Sequence, residues 1–453
     1  MGAMRKPLYI LLCLSVLAGC AGSTVFQPWP DRASSWRHGL AEQPPAVVRE
    51  QLDRGLQGNN RLLYLQERGR LAELAGDFQA SRQDYTDAIR LYREEDEQAL
   101  IRLSGVGATG SALLTNDNAL PYRGEDYERI LLHGFQAMNY WATGDLEGAA
   151  VEFRRVTEAQ RNAESRRERE IQRAEEEARD KDIDIHSFPE ELGGLNAAAA
   201  DVRSSVENAW LYYLAGLFRE GTGDYNNAAV DYRRALQIRP EMELIEEDLR
   251  RVQARQDRRY RDDRGLVVIS HEQGLVPPRR EISLPIPTRH GYVAVAFPTY
   301  DPADFGGGRP LRIETPDGQT LQTREIARID AMAARALRER VPGMLLRQTL
   351  RARTKYEAQK QAEEFGILGM FFVQIYNLVS EQADLRSWLT LPAGTRVART
   401  EMEPGEHRLK LSGPGGGASV DVPVTSGGIT VIRVFEAGGR MHTRVMPVLE
   451  ERR

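Results

Sequence analysis

Gly216 to Pro240 read GLFREGTGDYNNAAVDYRRALQIRP, a stretch that describes two helices joined by a tight turn. Gly223-Asp224 breaks the helical pattern: glycine tolerates the left-handed backbone that ends one helix, and Asp224 can cap the next. Beyond the break, Ala228, Tyr232 and Ala235 fall on one stripe at helical spacing. The two alanines let a neighbouring helix approach closely, and Tyr232 fills the gap beside them. Pro240 stops the second helix because it has no amide hydrogen and clashes with the preceding turn.

This pattern resembles a tetratricopeptide (TPR) repeat, with Gly216 at the small position of the first helix and Ala228, Tyr232, Ala235 and Pro240 in the second. One such unit cannot bury its apolar faces alone, so further copies are expected. Gly76-Asp77-Phe78 opens a helix carrying Ser81, Tyr85 and Ala88 in the equivalent places. Gly144-Asp145-Leu146 precedes Ala149 and Phe153, with Val156 replacing the second small residue. The first two turns are separated by about twice the usual period of roughly 34 residues, and an insertion separates the third. Residues 46–260 therefore read as a degenerate TPR-like α-superhelix with non-repeat helices interposed.

The chain has 453 residues, 41% hydrophobic and 28% charged, a balance that suits a globular protein of two or more domains. Its 61 basic and 66 acidic residues leave a formal net charge of -5, which argues against a dedicated nucleic-acid binder. The two cysteines, Cys13 and Cys20, lie near the N-terminus. The body can form no intramolecular disulfide and no thiolate metal site.

Arg5 and Lys6 precede an apolar run from Leu8 to Leu17 that is too short to span a membrane and reads as a signal segment. Leu17-Ala18-Gly19-Cys20 resembles the bacterial lipoprotein box. That resemblance implies removal of residues 1–19, lipidation of Cys20 and durable anchoring by its acyl chains. Ala21, where Asp would mark inner-membrane retention, implies the outer membrane and a body facing the periplasm. Residues 20–45 carry Gly22, Ser23, Pro28, Pro30, Pro44 and Pro45 without a sustained period, and read as a tether. Trp29 and Trp36 there either sit at the bilayer interface or dock on the first helices.

From Leu114 to Tyr122 the sequence is LTNDNALPY, a loop in which Asn and Asp make turns or caps and Pro121 disfavours a continuous helix. It leads into a helix from Tyr127 to about Trp141. The run N-D-x-x-x-P-Y-x-G-x-x-Y-E-R (Asn116 to Arg129), His133, and Asn139-Tyr140 before Gly144-Asp145 resemble a family of bacterial envelope lipoproteins with TPR-like helices. The resemblance extends over most of the mature chain. It implies an architecture and an envelope location, but no established reaction; some members are encoded beside lipoproteins that activate peptidoglycan synthases. Asn116, Asp117, Pro121, Tyr122, Tyr127 and Glu128 are the candidate partner-binding residues. The competing reading is structural, with Asn and Asp as caps and the tyrosines as packing residues.

Arg161 to Ile185 is a run of mixed charge that predicts a solvated helix. After the basic stretch Arg255 to Arg264 the period changes. Leu266 to Ile269 and Tyr292 to Phe297 are β-rich, while Pro277-Pro278 and Pro285 to Pro287 permit edge strands at best. Helical pattern returns from Thr323 to Arg340 and resumes after Pro342-Gly343 to about Ala383. Gly366 to Val379, GILGMFFVQIYNLV, reads as a buried core helix. Trp388 to Leu391, Arg396 to Arg399, His407 to Leu411, Val420 to Val424 and Thr430 to Phe435 read as strands. The expected fold is α+β and multidomain: the helical array, a mixed region over 265–383, and a small β-sandwich over 384–450.

Reactive constellations are missing from the sequence. His271-Glu272 lacks the second histidine of a zinc site, Asp304-Phe305-Gly306 stands without the other kinase motifs, and Gly413 to Gly417 lacks the lysine and serine of a phosphate loop. No cofactor, metal or catalysis is expected. The leading expectation is a lipid-anchored periplasmic scaffold that binds envelope proteins through its helical-repeat surface, in peptidoglycan synthesis or secretion machinery. One rival is a cell-wall glycan enzyme using Asp117 and Glu128 as an acid–base pair. Another is a polysaccharide- or exporter-associated lipoprotein whose β-module binds glycan.

Overall fold

The computed structural model describes residues 27–104, 118, 120–181, 183, 192–256, 263–288, 291–306, 308–363 and 382–450. Two helices open it, α1 (Trp29–Glu42) and α2 (Pro45–Glu50). Three helical pairs follow: α3 (Arg61–Ala75) with α4 (Phe78–Ser104), α5 (Asp126–Ala142) with α6 (Leu146–Asp180), and α8 (Ala209–Gly221) with α9 (Tyr225–Ile238). The short α7 (Gly193–Ala199) precedes the third pair and α10 (Glu243–Gln256) closes the array.

All three pairs turn by the same device. Gly76, Gly144 and Gly223 hold φ near +84°, +77° and +84°, a region that costs glycine nothing. The next residue is an aspartate whose carboxylate accepts an amide three positions on, from Ala80, Gly148 and Asn227 at 3.0, 2.9 and 3.4 Å. Within the third pair, Ala228, Tyr232 and Ala235 are all fully buried. A Cβ on Gly216 would lie 2.5 Å from the Tyr232 ring, and one on Gly69 would lie 2.3 Å from Tyr85, so the same small-against-aromatic contact recurs in the first pair.

The tether expected over 20–45 gives way to helix α1 within the described residues. Pro28 and Pro30 sit at the start of that helix, where a missing amide hydrogen costs no intrahelical bond. Trp29 and Trp36 dock inside, edge-on to each other at 5.6 Å, with Trp29 also edge-on to Tyr64 at 5.1 Å. The charge run continues helix α6 as expected, with Ala163 and Ala178 as its buried points. Residues 1–26, including Cys20, lie outside the described residues, as do Asn116, Asp117 and Gly366 to Val379.

Strands β1 (Gly265–Gln273), β2 (Arg280–Thr288), β3 (Gly291–Thr299), β4 (Arg312–Glu314), β5 (Thr320–Gln322) and β6 (Arg324–Arg328) lead to helix α11 (Ile329–Glu363), which runs on through Pro342. After it come β7 (Gly394–Met402), β8 (Gly405–Gly413), β9 (Gly416–Val424), β10 (Ile429–Ala437) and β11 (Arg440–Val445). They form a five-stranded sheet in the order β11-β10-β1-β7-β6, a four-stranded sheet β5-β4-β8-β9, and the separate hairpin β2-β3. Strands from both sides of residue 384 are therefore bonded neighbours: β1 pairs with β7 and β10, and β4 with β8. The sandwich expected over 384–450 draws four of its nine strands (β1, β4, β5 and β6) from the region before it, so residue 384 does not separate two sheets. Trp388 to Leu391, expected as a strand, has neither helix nor ladder.

Alternation along the two central strands explains the layering. Leu266 and Val268 of β1 and Ile429 and Val431 of β10 join the core shared with the helices. Val267, Ile269, Ile432 and Val434 join a second core between the two sheets. Buried on both faces, β1 and β10 lie between the helical layer and the smaller sheet. The first helices of the repeat pairs face this sheet: Trp210 of α8 donates to Ser270 of β1 at 2.9 Å, and Arg70 of α3 bonds Glu272.

Candidate functional site

The loop singled out in the sequence leads to the best-connected part of the interior. Tyr127 and Glu128 are fully buried and Tyr122 nearly so, whereas Pro121 is exposed. The Tyr122 and Tyr127 hydroxyls donate to the Glu128 carboxylate at 2.8 and 3.3 Å, and the Glu125 amide completes the start of α5 at 3.4 Å. The fourth donor comes from far away in sequence: the Trp388 amide, at 2.8 Å. Nearby, Glu67 of α3 accepts the amides of Leu389 and Thr390 at 2.8 and 3.1 Å.

The carbonyls of the same segment are held as well. Arg279 donates to Arg386 at 3.0 Å, the Trp29 indole to Ser387 at 2.9 Å, and Arg37 to Leu389 at 2.7 Å. With no ladder available, buried backbone groups of 386–390 are satisfied by side chains from the helices and from the start of the β-region. The Trp388 ring is fully buried, edge-on to Tyr85 of α4 at 5.9 Å and Phe135 of α5 at 5.8 Å. The loop supplies further grips: Asn118 donates to Ala383 at 3.1 Å, and Arg386 reaches the Leu120 carbonyl at 2.9 Å. The inner side of the first two repeat pairs thus holds a piece of this chain by its backbone, around one large aromatic anchor.

Electrostatics divide this interior in two. Burial pushes Glu67 up from an ordinary 4.5 to about 7, against the hydrogen bonds from Thr390 and Leu389. Burial and the neighbouring Glu125 charge push Glu128 up to about 7 as well, against Trp388 and Tyr122. Glu125 itself is buried but stays below the ordinary range, because Arg340 and Arg279 outweigh the loss of water. Beneath them, Arg70, Glu73, Glu272 and Arg433 form a closed buried ring. Arg70 donates to Glu73 at 2.8 Å and to Glu272, and Arg433 donates to Glu272 at 3.0 Å and to Glu73. The Arg70 guanidinium also lies 4.3 Å from the Phe135 ring centre. A second network ties α8 and α10 to β7. Arg251 bonds Glu220 at 2.7 Å, and Asp248 accepts from Tyr213 at 2.8 Å and pairs with Arg399 at 3.0 Å.

This arrangement is a binding geometry. Glu128, offered above as half of an acid–base pair, has its oxygens engaged and no exposure. Among the described residues no cluster of His, Cys, Asp or Glu could hold a metal ion, and no helix is long and apolar enough to cross a membrane. Residues 211–242 match the tetratricopeptide repeat. That range contains most of the α8–α9 pair and covers a small part of the chain. No curated protein and no solved structure matches the chain. Tetratricopeptide repeats generally mediate the binding of protein partners.

Glu67, Arg279 and Trp388 were not legible as site residues. Glu67 did leave a trace: Gln66, Glu67, Arg70 and Glu73 are interleaved with Leu62, Leu63, Leu65 and Leu71, and all eight are buried. A helix apolar on several faces with an acidic–basic stripe at helical spacing is one whose charges must find partners inside.

Proposed function

We propose that this protein is a lipid-anchored scaffold of the cell envelope, which holds protein partners in place and performs no reaction on them. The observation that carries the proposal is the repeat array gripping residues 388–390 by their amides, through Glu67 and Glu128, while helix α1 and Arg279 hold the carbonyls of the same segment. The array is used here as a backbone-reading surface, and it welds helices and β-sandwich into one rigid frame. Partners then bind the outer surfaces of that frame, since the inner side is filled by the chain's own sheet and segment. Cys20 supplies the lipid and the outer membrane the place, with the body on the periplasmic side. Peptidoglycan synthesis and secretion are the assemblies that such a frame would serve.

Crosslinking in living cells followed by affinity purification tests the scaffold role. Recovery of specific envelope proteins, lost together with membrane fractionation in Cys20→Ala, is the expected result. Labelling of Cys20 by a palmitate analogue checks the anchor separately. Recovery of nothing above background, with the anchor intact, would sink the scaffold reading.

A further inference from the structure

A partner-binding frame needs a place where a partner is read, and the surface of the described residues offers few large apolar side chains for it. Among the described residues the exposed large apolar side chains are Val47 and Val230, which is no patch of the kind that marks a hydrophobic interface. Recognition through the main chain is the alternative, and β7 supplies the means. On one side β7 pairs with β1 along its whole length, from Gly394 to Met402. On the other side β6 covers only Gly394 to Val397. The chain causes this itself, because Thr323 leaves the line of β6 and bonds Leu311, the residue before β4 of the other sheet, its amide 3.0 Å from the Leu311 carbonyl. Ala398 to Met402 are left without a ladder partner on that side among the described residues.

Which groups face the gap follows from the ladder. The Leu266 amide bonds Gly428, on the β10 side, so alternate residues from Gly265 onward point toward β7 and engage Ala398, Thr400 and Met402. Arg399 and Glu401 then point their amides and carbonyls the other way, in line with Val397, which faces Arg324 of β6. The Glu401 carbonyl is capped by Arg264 at 2.6 Å. The Arg399 amide and carbonyl and the Glu401 amide open into a groove of about 690 Å³. Its walls are the N-terminal turn of α10 and the β4–β5 hairpin, and its floor is β7 from Val397 onward.

The groove is acidic. Glu243, Glu247, Asp317, Glu401 and Glu403 line it against the guanidinium groups of Arg264, Arg324 and Arg399. Each arginine is already paired within the lining: Arg324 with Glu243 at 3.6 Å, Arg264 with Glu403 at 3.5 Å, and Arg399 with Glu247 and Glu401 at 2.5 and 2.9 Å. The surplus charge left for a ligand is negative.

We infer that this groove binds an extended peptide of a protein partner, which adds as a strand to β7 in line with β6 and carries lysine or arginine toward the groove walls. Main-chain bonds to Arg399 and Glu401 supply affinity, and the carboxylates select basic side chains. Five residues of open edge correspond to about 17 Å of strand, the span of a short linear motif. The inference rests on the scaffold reading above and gives it an address.

Fluorescence anisotropy with the full chain tests it, using three alternating hexapeptides: Lys-Val, Glu-Val, and Lys-Val with N-methylated backbone amides. The Lys-Val peptide is expected to bind at least roughly tenfold more tightly than either control, the worth of a main-chain bond or two. Glu401→Pro removes an edge amide without touching the β1 ladder and should abolish that preference, as should Glu247→Lys combined with Glu403→Lys. Equal binding of the N-methylated peptide, unchanged binding by both variants, or no binding of the Lys-Val peptide would overturn the site. Concentration-dependent dimerisation that Glu401→Pro abolishes would replace the peptide by a second copy of the chain and overturn it too. If crosslinked partners persist in Glu401→Pro, the scaffold stands without this groove; if no partner is crosslinked to the unmodified chain, the scaffold itself fails.

Discussion

Two sets of carboxylates are sealed in the same interior and driven in opposite directions. Glu67 and Glu128 are pushed up to about 7, whereas Glu272, equally buried, is held below its ordinary range because Arg433 and Arg70 outweigh the cost of burial. The difference is in the partners. Glu272 faces two guanidinium groups in a ring with Glu73, while Glu67 and Glu128 face mainly amides and hydroxyls. Charge is neutralised by charge where α3 meets β1 and β10, and left to dipoles where the helices hold 386–390. The first arrangement fixes the sheet against the array. The second is the softer grip and the one that responds to pH.

The largest effect is expected from breaking the ring. Glu272→Ala leaves Arg70 and Arg433 buried with only Glu73 of their two shared acceptors, and should cost about 3–5 kcal/mol, read from urea unfolding followed by tryptophan fluorescence. A loss below about 1 kcal/mol would show that water already screens the ring.

Smaller and opposite in sign with pH is the contribution of the second set. Because the native pKa of Glu67 and Glu128 lies above the ordinary 4.5, the folded state binds their protons more tightly than the unfolded chain. Their contribution is fully present below about 4.5 and is lost as pH rises through about 7. Glu67→Gln and Glu128→Gln should each flatten the fall of unfolding free energy over that window, by an amount on the order of 1–3 kcal/mol, read from urea unfolding at a series of pH values. Parallel pH profiles for the variants and the unmodified chain would contradict the assignment. At the lower end stands Arg408–Asp421, which spans β8 and β9 at 2.6 Å with both side chains about two-thirds exposed. Arg408→Ala should leave the thermal midpoint unchanged; a clear drop would mean that surface pairs count here as buried ones do.

What could be read in advance was local. The Gly-Asp turns at Gly76, Gly144 and Gly223 were legible because a helix stop and the next cap lie in adjacent residues, and the stripe of Ala228, Tyr232 and Ala235 because packing follows helical spacing. The strands β7 to β10 announced themselves as short runs between Pro and Gly turns. Pairings of β1 with β7 and β10 were not legible, since the partners lie more than a hundred residues apart and several apolar strands fit equally well. Helix α1 was hidden by prolines that break a helix in the middle but not at its start. The Tyr122, Tyr127 and Glu128 set was visible as an unusual cluster, but its true counterpart, Trp388, could be found only in three dimensions.

Native-state hydrogen exchange at the amides of Trp388, Leu389 and Thr390 tests the central claim, that the repeat array holds 386–390 as a fixed part of its own interior. All three should exchange only with global unfolding, as slowly as the amides of β1 and β10. Exchange by local opening, at rates typical of exposed turn residues such as Asp317 and Gly318, would show that the segment leaves the array readily and would contradict the account.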